Sequence, residues 1–590
     1  MDSASGLQCF WGELKNNPHC PHGPTLLFGR YINGNLEKFY TCSACRDRSL
    51  CSFYLNYDSS LTKQEKLTWD LERKRFISKY NHKKLFIKFN EVMIENPMNR
   101  IYCHTCERLI LKAERIKHSD HTLTESLTDY QMTHPTELLK PLGNVKKEAQ
   151  YFFSEKSTKD IVDMIIKQGM KNVLCIGAPR IHEYINQNYE SKISSLLLDF
   201  DSRFHNFFGP LQYCWYNLFN HHFFFNEAKN VFKDFVTQNG GKDLILICDP
   251  PFGGRVEAMS QTIKAIQDLH KKWNHIEDTD TLKIIFIFPY FMESIIQQKS
   301  NPPLINGGLR ELKMADYKVD YDNHPLFITG SSGRKYGSPV RIFTNILLRL
   351  FKLPESDGYK YCKRCLKWVS NENRHCKKCK ECTSKDGRRY KHCNICKRCV
   401  KPTWKHCDTC NRCVLEQHEC GQGPKITGLC FKCNQKGHIE KNCTVRVDNT
   451  AEENIEVDIS ETKNEEASKK SKNKQKPVRE SKEAVSITQA KTMKLKDNSK
   501  KRKSEDLING ASKILKKPKS IKSKGSMKTD ISVKNNINER KVKISKLKIQ
   551  ENTKKGKRGA INAYSKQNKE KLIKKLESKK LKIRLKVPKK

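Results

Sequence analysis

Acidic residues are scarce in this 590-residue chain, with 65 Asp and Glu against 112 Lys and Arg, for a formal net charge of +47. Such an excess of positive charge indicates a polyanionic partner, nucleic acid above all. No run of about 18 apolar residues occurs, so we expect no membrane-spanning segment. The N-terminus also lacks the basic and apolar regions of a secretory signal. We therefore expect a cytosolic or nuclear protein.

Cysteine, by contrast, is abundant. Most of the 25 cysteines lie in Cys-x-x-Cys pairs interspersed with histidine. That pattern is typical of zinc sites in a reducing compartment rather than of disulfides.

The tetrapeptide Asp249-Pro250-Pro251-Phe252 follows an apolar run, residues 244–248, that reads as a buried strand. It resembles the (D/N)PP(F/Y/W) motif of S-adenosylmethionine-dependent amino-methyltransferases, which act on adenine N6, cytosine N4 or a glutamine amide. The Asp249 carboxylate and the Pro250 carbonyl would each accept an N–H bond from the target amine, and Pro251 would fix the turn. Phe252 would stack on a flipped-out base. The alternative is a Pro-Pro turn that merely ends a strand.

Residues 140–355 alternate predicted strands with predicted helices, which favours an α/β domain with a largely parallel sheet. Two β-rich segments, 317–321 and 341–346, close the region, as an antiparallel end of a Rossmann-like sheet would. The first strand ends at Gly177, where backbone can approach a ligand closely, although no G-x-G-x-x-G pattern is present. The second ends at Asp199, where an acid can bind ribose hydroxyls. The Gly/Ser-rich stretch within 311–339 reads as a mobile loop or as an ordinary connection.

Two possible zinc fingers precede this domain. The first resembles a GRF-type finger, with Cys20, His22, Cys42 and Cys51 as matching ligands and Cys45 as a competing fourth ligand. The resemblance implies binding of single-stranded nucleic acid, and the alternative is a purely structural zinc site. The second has nearly the spacing of a C2H2 finger, and it would either brace the catalytic domain or bind nucleic acid. Its ligands would be Cys103, Cys106, His118 and His121.

After the α/β domain, a His-Cys-x2-Cys-x2-Cys repeat occurs three times. The region resembles the Cys-rich domain of DHHC palmitoyltransferases, but it lacks their tetrapeptide and transmembrane helices, so we do not expect acyl transfer. Sixteen ligands would fill four zinc sites whose pairing the sequence leaves open. These ligands are Cys362, Cys365, His375, Cys376, Cys379, Cys382, His392, Cys393, Cys396, Cys399, His406, Cys407, Cys410, Cys413, His418 and Cys420.

A CCHC zinc knuckle follows, with ligands Cys430, Cys433, His438 and Cys443. Phe431 and nearby lysines suit stacking and charge pairing with single-stranded RNA. Residues 444–590 hold 45 Lys and Arg against 18 Asp and Glu and few aromatics, which indicates a disordered tail. Its clusters 500–503 and 516–519 resemble nuclear or nucleolar targeting signals.

The order of these modules resembles that of zinc-finger CCHC-domain proteins that methylate N6 of an adenosine in large-subunit (28S-type) ribosomal RNA. The resemblance covers about residues 10–445. It implies that the loop at about 311–331 covers the pocket until RNA binds. It further implies S-adenosylmethionine contacts by Gln150, Tyr151, Phe152, Phe153, Arg180, Asp199, Asn217, Leu218 and Asp249.

We therefore predict an α/β, Rossmann-like methyltransferase flanked by small zinc domains, using S-adenosylmethionine and about seven Zn2+ ions. The predicted bounds are 10–60 for the GRF-type finger, 61–135 for linker helices and the C2H2-like finger, 140–355 for the methyltransferase, 360–422 for the multi-zinc domain, 428–445 for the knuckle and 446–590 for the tail.

The expected partners are 28S-type rRNA and either ribosome-assembly factors or RNA helicases. We expect a monomer in the nucleolus and nucleus, with the cytoplasm as a further location. The alternatives are a non-catalytic RNA-binding assembly factor and an N6-methyltransferase of another RNA.

Overall fold

The computed structural model describes residues 7–32, 35–45, 47–142, 150–189, 192–277, 281–324 and 337–420. These residues belong to one compact unit. None of the helices in these ranges is long and apolar enough to cross a membrane.

An eight-stranded sheet forms the centre. Its strands are Asn172–Ile176 (β1), Ser194–Asp199 (β2), Tyr213–Asn217 (β3), His222–Phe223 (β4), Leu244–Cys248 (β5), Lys283–Pro289 (β6), Lys313–Lys318 (β7) and Val340–Thr344 (β8). The spatial order is β4-β3-β2-β1-β5-β6-β8-β7. Strands β3, β2, β1, β5 and β6 are parallel neighbours, and β4, β8 and β7 pair antiparallel. The predicted Rossmann-like α/β fold is confirmed.

Helices cover both faces of this sheet. They are Glu155–Lys167 (α1), Pro179–Asn188 (α2), Asn226–Val236 (α3), Val256–Asn274 (α4) and Glu293–Lys299 (α5). Helix α1 begins where the Ser154 side chain accepts a hydrogen bond from the Ser157 amide, and α2 begins with Pro179 at its first position. Burial on both faces explains why β5 reads as a continuous apolar run, with Ile245 and Ile247 in one core and Leu246 and Cys248 in the other.

The structure corrects one boundary near the predicted loop. Residues 313–318 form edge strand β7, so the stretch that begins at 311 is partly sheet rather than loop. Residues 325–336 of that stretch lie outside the described residues. Tyr321, which we placed in a strand, makes only an isolated antiparallel bridge with Phe153.

The first finger is a four-stranded antiparallel sheet, followed by two helices that pack on the central domain. The strands are Leu7–Cys9, Leu26–Ile32, Asn35–Thr41 and Tyr54–Asn56, and the helices are Lys63–Ser78 and His82–Ile94. His82 Nε2 lies 2.8 Å from the Phe208 carbonyl oxygen. The second finger has strands Arg100–Cys103, Arg108–Leu111 and Leu123–Glu125, and short helices follow at Asp129–Thr133 and Pro135–Leu138.

The region after the sheet is a row of four β-hairpins. They pair Tyr359–Cys362 with Lys367–Ser370 (hairpin I), His375–Cys376 with Glu381–Cys382 (II), Lys391–Cys393 with Arg398–Val400 (III), and Trp404–Cys407 with Arg412–Leu415 (IV). The buried carboxylate of Asp316 on β7 accepts hydrogen bonds from the Ser370 amide and the Asn373 side chain, both at 2.9 Å. The row is therefore anchored to the edge of the central sheet.

Candidate active site

Asp249 lies directly after β5, where the strand reaches the carboxyl edge of the sheet. Its amide donates to the Ile176 carbonyl at 3.0 Å, which ties the start of the motif to the end of β1. Its Oδ1 accepts a hydrogen bond of 2.8 Å from the Tyr321 hydroxyl. Among the described residues, no hydrogen-bond donor reaches its Oδ2. Loss of solvation raises the pKa of Asp249 well above its ordinary value, the Tyr321 bond lowers it, and the nearby Asp199 raises it.

Aromatic rings cluster around Tyr321, the residue that contacts this carboxylate. Phe252 stacks with Tyr151 at a centroid distance of 6.2 Å and meets Tyr321 edge-on at 5.9 Å. Tyr151 also lies 4.2 Å from the His324 ring. Such a box of ring faces suits a flat, conjugated base. We call Tyr151, Phe252, Tyr321 and His324 the aromatic box.

The ends of β1 and β2 lie at the carboxyl edge of the sheet, where α/β folds bind cofactors, and we call this region the cofactor crevice. Gly177 has φ +63°, and a Cβ there would come 2.7 Å from the Asp249 carbonyl oxygen, so the position requires glycine. The Asp199 carboxylate accepts a 2.9 Å bond from the Asp201 amide. Burial and the charge of Asp201 raise the pKa of Asp199 to about 7. A glycine-lined approach beside an acceptor carboxylate fits the ribose of S-adenosylmethionine.

Gln150 and Arg180 hold the walls of the crevice. The Gln150 amide donates to Asp201 Oδ2 at 3.2 Å. The Arg180 guanidinium donates to the Phe153 carbonyl at 2.6 Å and also pairs with Glu137 and Asp322. Arg180 thus joins three segments that border the site.

Four residues predicted to contact the cofactor have side chains turned into protein. Phe152 and Phe153 are 4% and 2% exposed, so the side chains pack in the interior. Leu218 is buried, and the Asn217 amide donates to the His22 carbonyl at 3.0 Å and to Ser43 Oγ at 2.8 Å. The end of β3 is therefore bound to the first finger. Cofactor contact by these four stays a prediction.

The first finger brings Cys20, His22, Cys42 and Cys51 together, with all four ligand atoms within 4.8 Å of one another. Tetrahedral zinc would place a sulfur and a nitrogen ligand about 3.6 Å apart. Cys42 Sγ lies 3.5 Å from His22 Nδ1, so the donor set fits zinc. Cys45 is close as well, with its Sγ 3.7 Å from His22 Nε2.

In the second finger, Cys103, Cys106, His118 and His121 also form one group. Cys106 Sγ lies 3.5 Å from His118 Nδ1, and Cys103 Sγ lies 3.5 Å from His121 Nδ1. The short His-x2-His spacing therefore still brings both imidazoles to the thiols.

The hairpin row resolves the pairing that the sequence leaves open. Each of the first three sites takes two cysteines from one hairpin and a histidine and a cysteine from the next. Three groups show this: Cys362, Cys365, His375 and Cys382; Cys376, Cys379, His392 and Cys399; and Cys393, Cys396, His406 and Cys413. At the end of the row, Cys407 Sγ lies 3.4 Å from Cys420 Sγ, and Cys410 Sγ lies 3.5 Å from His418 Nε2. The predicted knuckle, 430–443, and the tail lie outside the described residues.

Two residues of the site escaped the sequence analysis as functional candidates. Tyr321 is separated from Asp249 by 72 positions and belongs to no motif. Phe200 follows Asp199 at the end of β2 and is 39% exposed, so part of its ring is accessible for stacking. An aromatic residue directly after the acid that ends a predicted strand was the available sequence signal.

Comparison with known proteins decides the family. A family described as "Probable N6-adenine methyltransferase" matches residues 144–326. Human rRNA N(6)-adenosine-methyltransferase ZCCHC4 is 40% identical over 437 residues, covering 72% of this chain and 82% of the human one. The protein of the same name from Xenopus tropicalis is 40% identical over 491 residues, covering 80% and 98%, and that from Mus musculus is 43% identical over 436 residues, covering 72% and 82%.

This chain belongs to the ZCCHC4 family of rRNA N6-adenosine-methyltransferases. The family match spans Asp249, both walls of the crevice and Tyr321. The predicted resemblance is therefore confirmed.

Proposed function

We propose that this protein transfers a methyl group from S-adenosylmethionine to N6 of an adenosine in large-subunit ribosomal RNA. The observation that carries the proposal is the Asp249 carboxylate, held at the carboxyl edge of the sheet beside an aromatic box and next to a ribose-compatible crevice. Membership of the ZCCHC4 family supports rRNA as the substrate.

The exocyclic amine of adenine is a weak nucleophile because its lone pair is delocalised into the ring. Asp249 and the Pro250 carbonyl accept its two N–H bonds, which favours a tetrahedral nitrogen and localises the lone pair. When bound, S-adenosylmethionine supplies an electrophilic methyl carbon on a sulfonium. With the donor bound, the nitrogen lone pair would form the new C–N bond while the C–S electron pair left with sulfur, and Asp249 would take the surplus amine proton before it passed to solvent.

The target adenosine must leave its stack in the RNA, which costs a few kcal/mol, and stacking in the aromatic box recovers part of that cost. The zinc modules set the register of the RNA, and the basic tail adds salt-sensitive attraction to phosphates. The ligand sets, with the knuckle included, would hold seven zinc ions, and the two lysine clusters of the tail support a nucleolar and nuclear location. We propose a monomer. Assembly factors or RNA helicases are the proposed protein partners.

The test is labelled-methyl transfer to total RNA from cells that lack the protein, followed by nucleoside mass spectrometry of each RNA species. Wild type should form N6-methyladenosine in the large rRNA, and Asp249→Ala should abolish transfer while it retains RNA binding. If N6-methyladenosine formed only in another RNA, that RNA would be the substrate instead of the large rRNA. A lack of transfer to any RNA, with donor and RNA both bound, would favour an assembly factor.

A further inference from the structure

Tyr321 stands out as a buried polar group that the motif does not account for. It is 4% exposed, yet its hydroxyl donates to the one carboxylate on which the proposed reaction depends. We propose that Tyr321 is a positioning residue, which fixes the Asp249 carboxylate so that its second oxygen faces the target amine. This inference rests on the proposed function and adds a residue to it.

The hydroxyl holds one end of the carboxylate in place. A carboxylate on a short side chain otherwise rotates about χ2, a broad torsion with no strong preference. With Oδ1 bound to Tyr321, Oδ2 is the oxygen left to accept an N–H from substrate. The bond also makes ionised Asp249 more stable, and a strong acceptor is needed opposite an amine that loses electron density.

The backbone that carries Tyr321 is held by hydrogen bonds on both sides. The Ser154 amide donates to the Asp320 carbonyl at 2.9 Å, and the Asp322 amide donates to the Phe152 carbonyl at 3.0 Å. The Asn323 side chain accepts from the Phe152 amide at 2.8 Å and donates to the Gln150 carbonyl at 3.0 Å. Tyr321 is thus fixed to the segment that forms one wall of the crevice.

Other ionisable groups lie around this pair. Asp199 acts on the pKa of Asp249, and Asp320 acts on that of Tyr321. Cys248 precedes Asp249 in the chain, and burial raises its thiol pKa. Tyr151 and His324 complete the aromatic box. All of these groups except the Tyr321 hydroxyl remain in the Tyr321→Phe variant. A change in the pH profile of that variant therefore reports on the loss of this hydroxyl.

The chain offers a matched control four residues away. Tyr317 is 3% exposed, and its hydroxyl donates to Asp160 Oδ2 at 2.8 Å. Tyr317→Phe and Tyr321→Phe each remove one partly buried tyrosine–carboxylate bond, and the two bonds have the same length, 2.8 Å. Only the second carboxylate belongs to the proposed active site.

The experiment measures kcat, KM for RNA and the pH dependence of kcat/KM in wild type and both variants, with melting temperature as the check on folding. Tyr321→Phe should lower kcat about tenfold or more and change KM by less than about twofold. Because the Tyr321 bond lowers the pKa of Asp249, its loss should move the acid limb of the kcat/KM profile upward by about one pH unit. Tyr317→Phe should leave all three parameters near wild type. In an Asp249→Asn background, Tyr321→Phe should cause little further loss, because the two residues act together.

If wild type is active and Tyr321→Phe has the same kcat and the same acid limb of the pH profile, this inference is wrong while the proposed function stands. If it lowers kcat as much in the Asp249→Asn background as in wild type, Tyr321 acts independently of Asp249 and the inference is also overturned. Absence of methyl transfer by wild type and by Tyr317→Phe would instead overturn the proposed function, and this inference with it.

Discussion

Asp199 is the residue whose protonation should govern cofactor binding near neutral pH. Burial and Asp201 raise its pKa to about 7, and the ionised form is the better acceptor for ribose hydroxyls. A group with a raised pKa is ionised above that value and becomes protonated as the pH falls through it. The affinity for S-adenosylmethionine should therefore weaken below about pH 7, by up to about tenfold per pH unit.

Isothermal titration calorimetry between pH 5.5 and 8.5 checks this expectation. Asp199→Asn should bind more weakly at high pH and show a nearly flat profile. Asp249→Asn should keep the pH dependence, because it leaves the Asp199 carboxylate in place. A wild-type dissociation constant that is constant over this range would contradict the assignment.

Some residues of the candidate site can be predicted from the sequence, and others cannot. Asp249 and Phe252 can be predicted because a local motif carries them, and Asp199 because it ends a recognisable apolar strand. Tyr321 cannot, since its partner is distant in the chain and tyrosine at a strand end is ordinary. Asn217 shows the same limit: its amide binds the His22 carbonyl, 195 positions away. Contacts of this kind depend on how modules dock.

At the scale of elements, strands buried on both faces are predictable, and β5 lies where its apolar run indicates. Strand β3, Tyr-Cys-Trp-Tyr-Asn, is not among the strands predicted from the sequence. The aromatic residues continue beyond its last residue, so the sequence does not mark where the strand ends. The zinc ligands follow from spacing, but their pairing does not, because every repeat offers the same spacing to both neighbours. The structure shows that each of the first three sites joins consecutive hairpins rather than closing one repeat.

This interlocked arrangement predicts that the loss of a single ligand has different consequences at different sites, because a metal bound at each inner site would hold one hairpin to the next. Cys379→Ser removes a ligand from the site that joins hairpins II and III. Cys420→Ser alters the last site, beyond hairpin IV. Both variants should lose about one zinc per chain. Only Cys379→Ser should release the connection at 383–390, where Lys385 pairs with Glu293.

Zinc content by mass spectrometry and limited trypsin digestion of the full chain test this difference. Cleavage at Arg388 and Arg389 should accelerate in Cys379→Ser and stay at the wild-type rate in Cys420→Ser. Equal cleavage rates in the two variants would show that the hairpins are held by packing rather than by the shared metals.

At the scale of the whole molecule, positive charge is concentrated where aromatic residues are few. Residues 444–590 hold 45 of the 112 Lys and Arg, whereas the motif and the aromatic box lie within the folded domain. A basic segment with few aromatic side chains and no binding pocket attracts phosphate groups but does not recognise a particular base. The tail should therefore contribute affinity, and the folded modules should contribute specificity.

Deletion of 444–590 should weaken binding to a single-stranded RNA and flatten its salt dependence, because each phosphate contact adds about 0.7 to the slope of log K against log salt. Fluorescence anisotropy between 50 and 300 mM salt, about the range in which such contacts are resolved, measures both quantities. A chain with the tail residues in scrambled order should bind like wild type, since only its charge is needed. If the deletion changed neither affinity nor slope, RNA attraction would lie in the zinc modules. If scrambling matched the deletion, the tail would recognise RNA through its sequence.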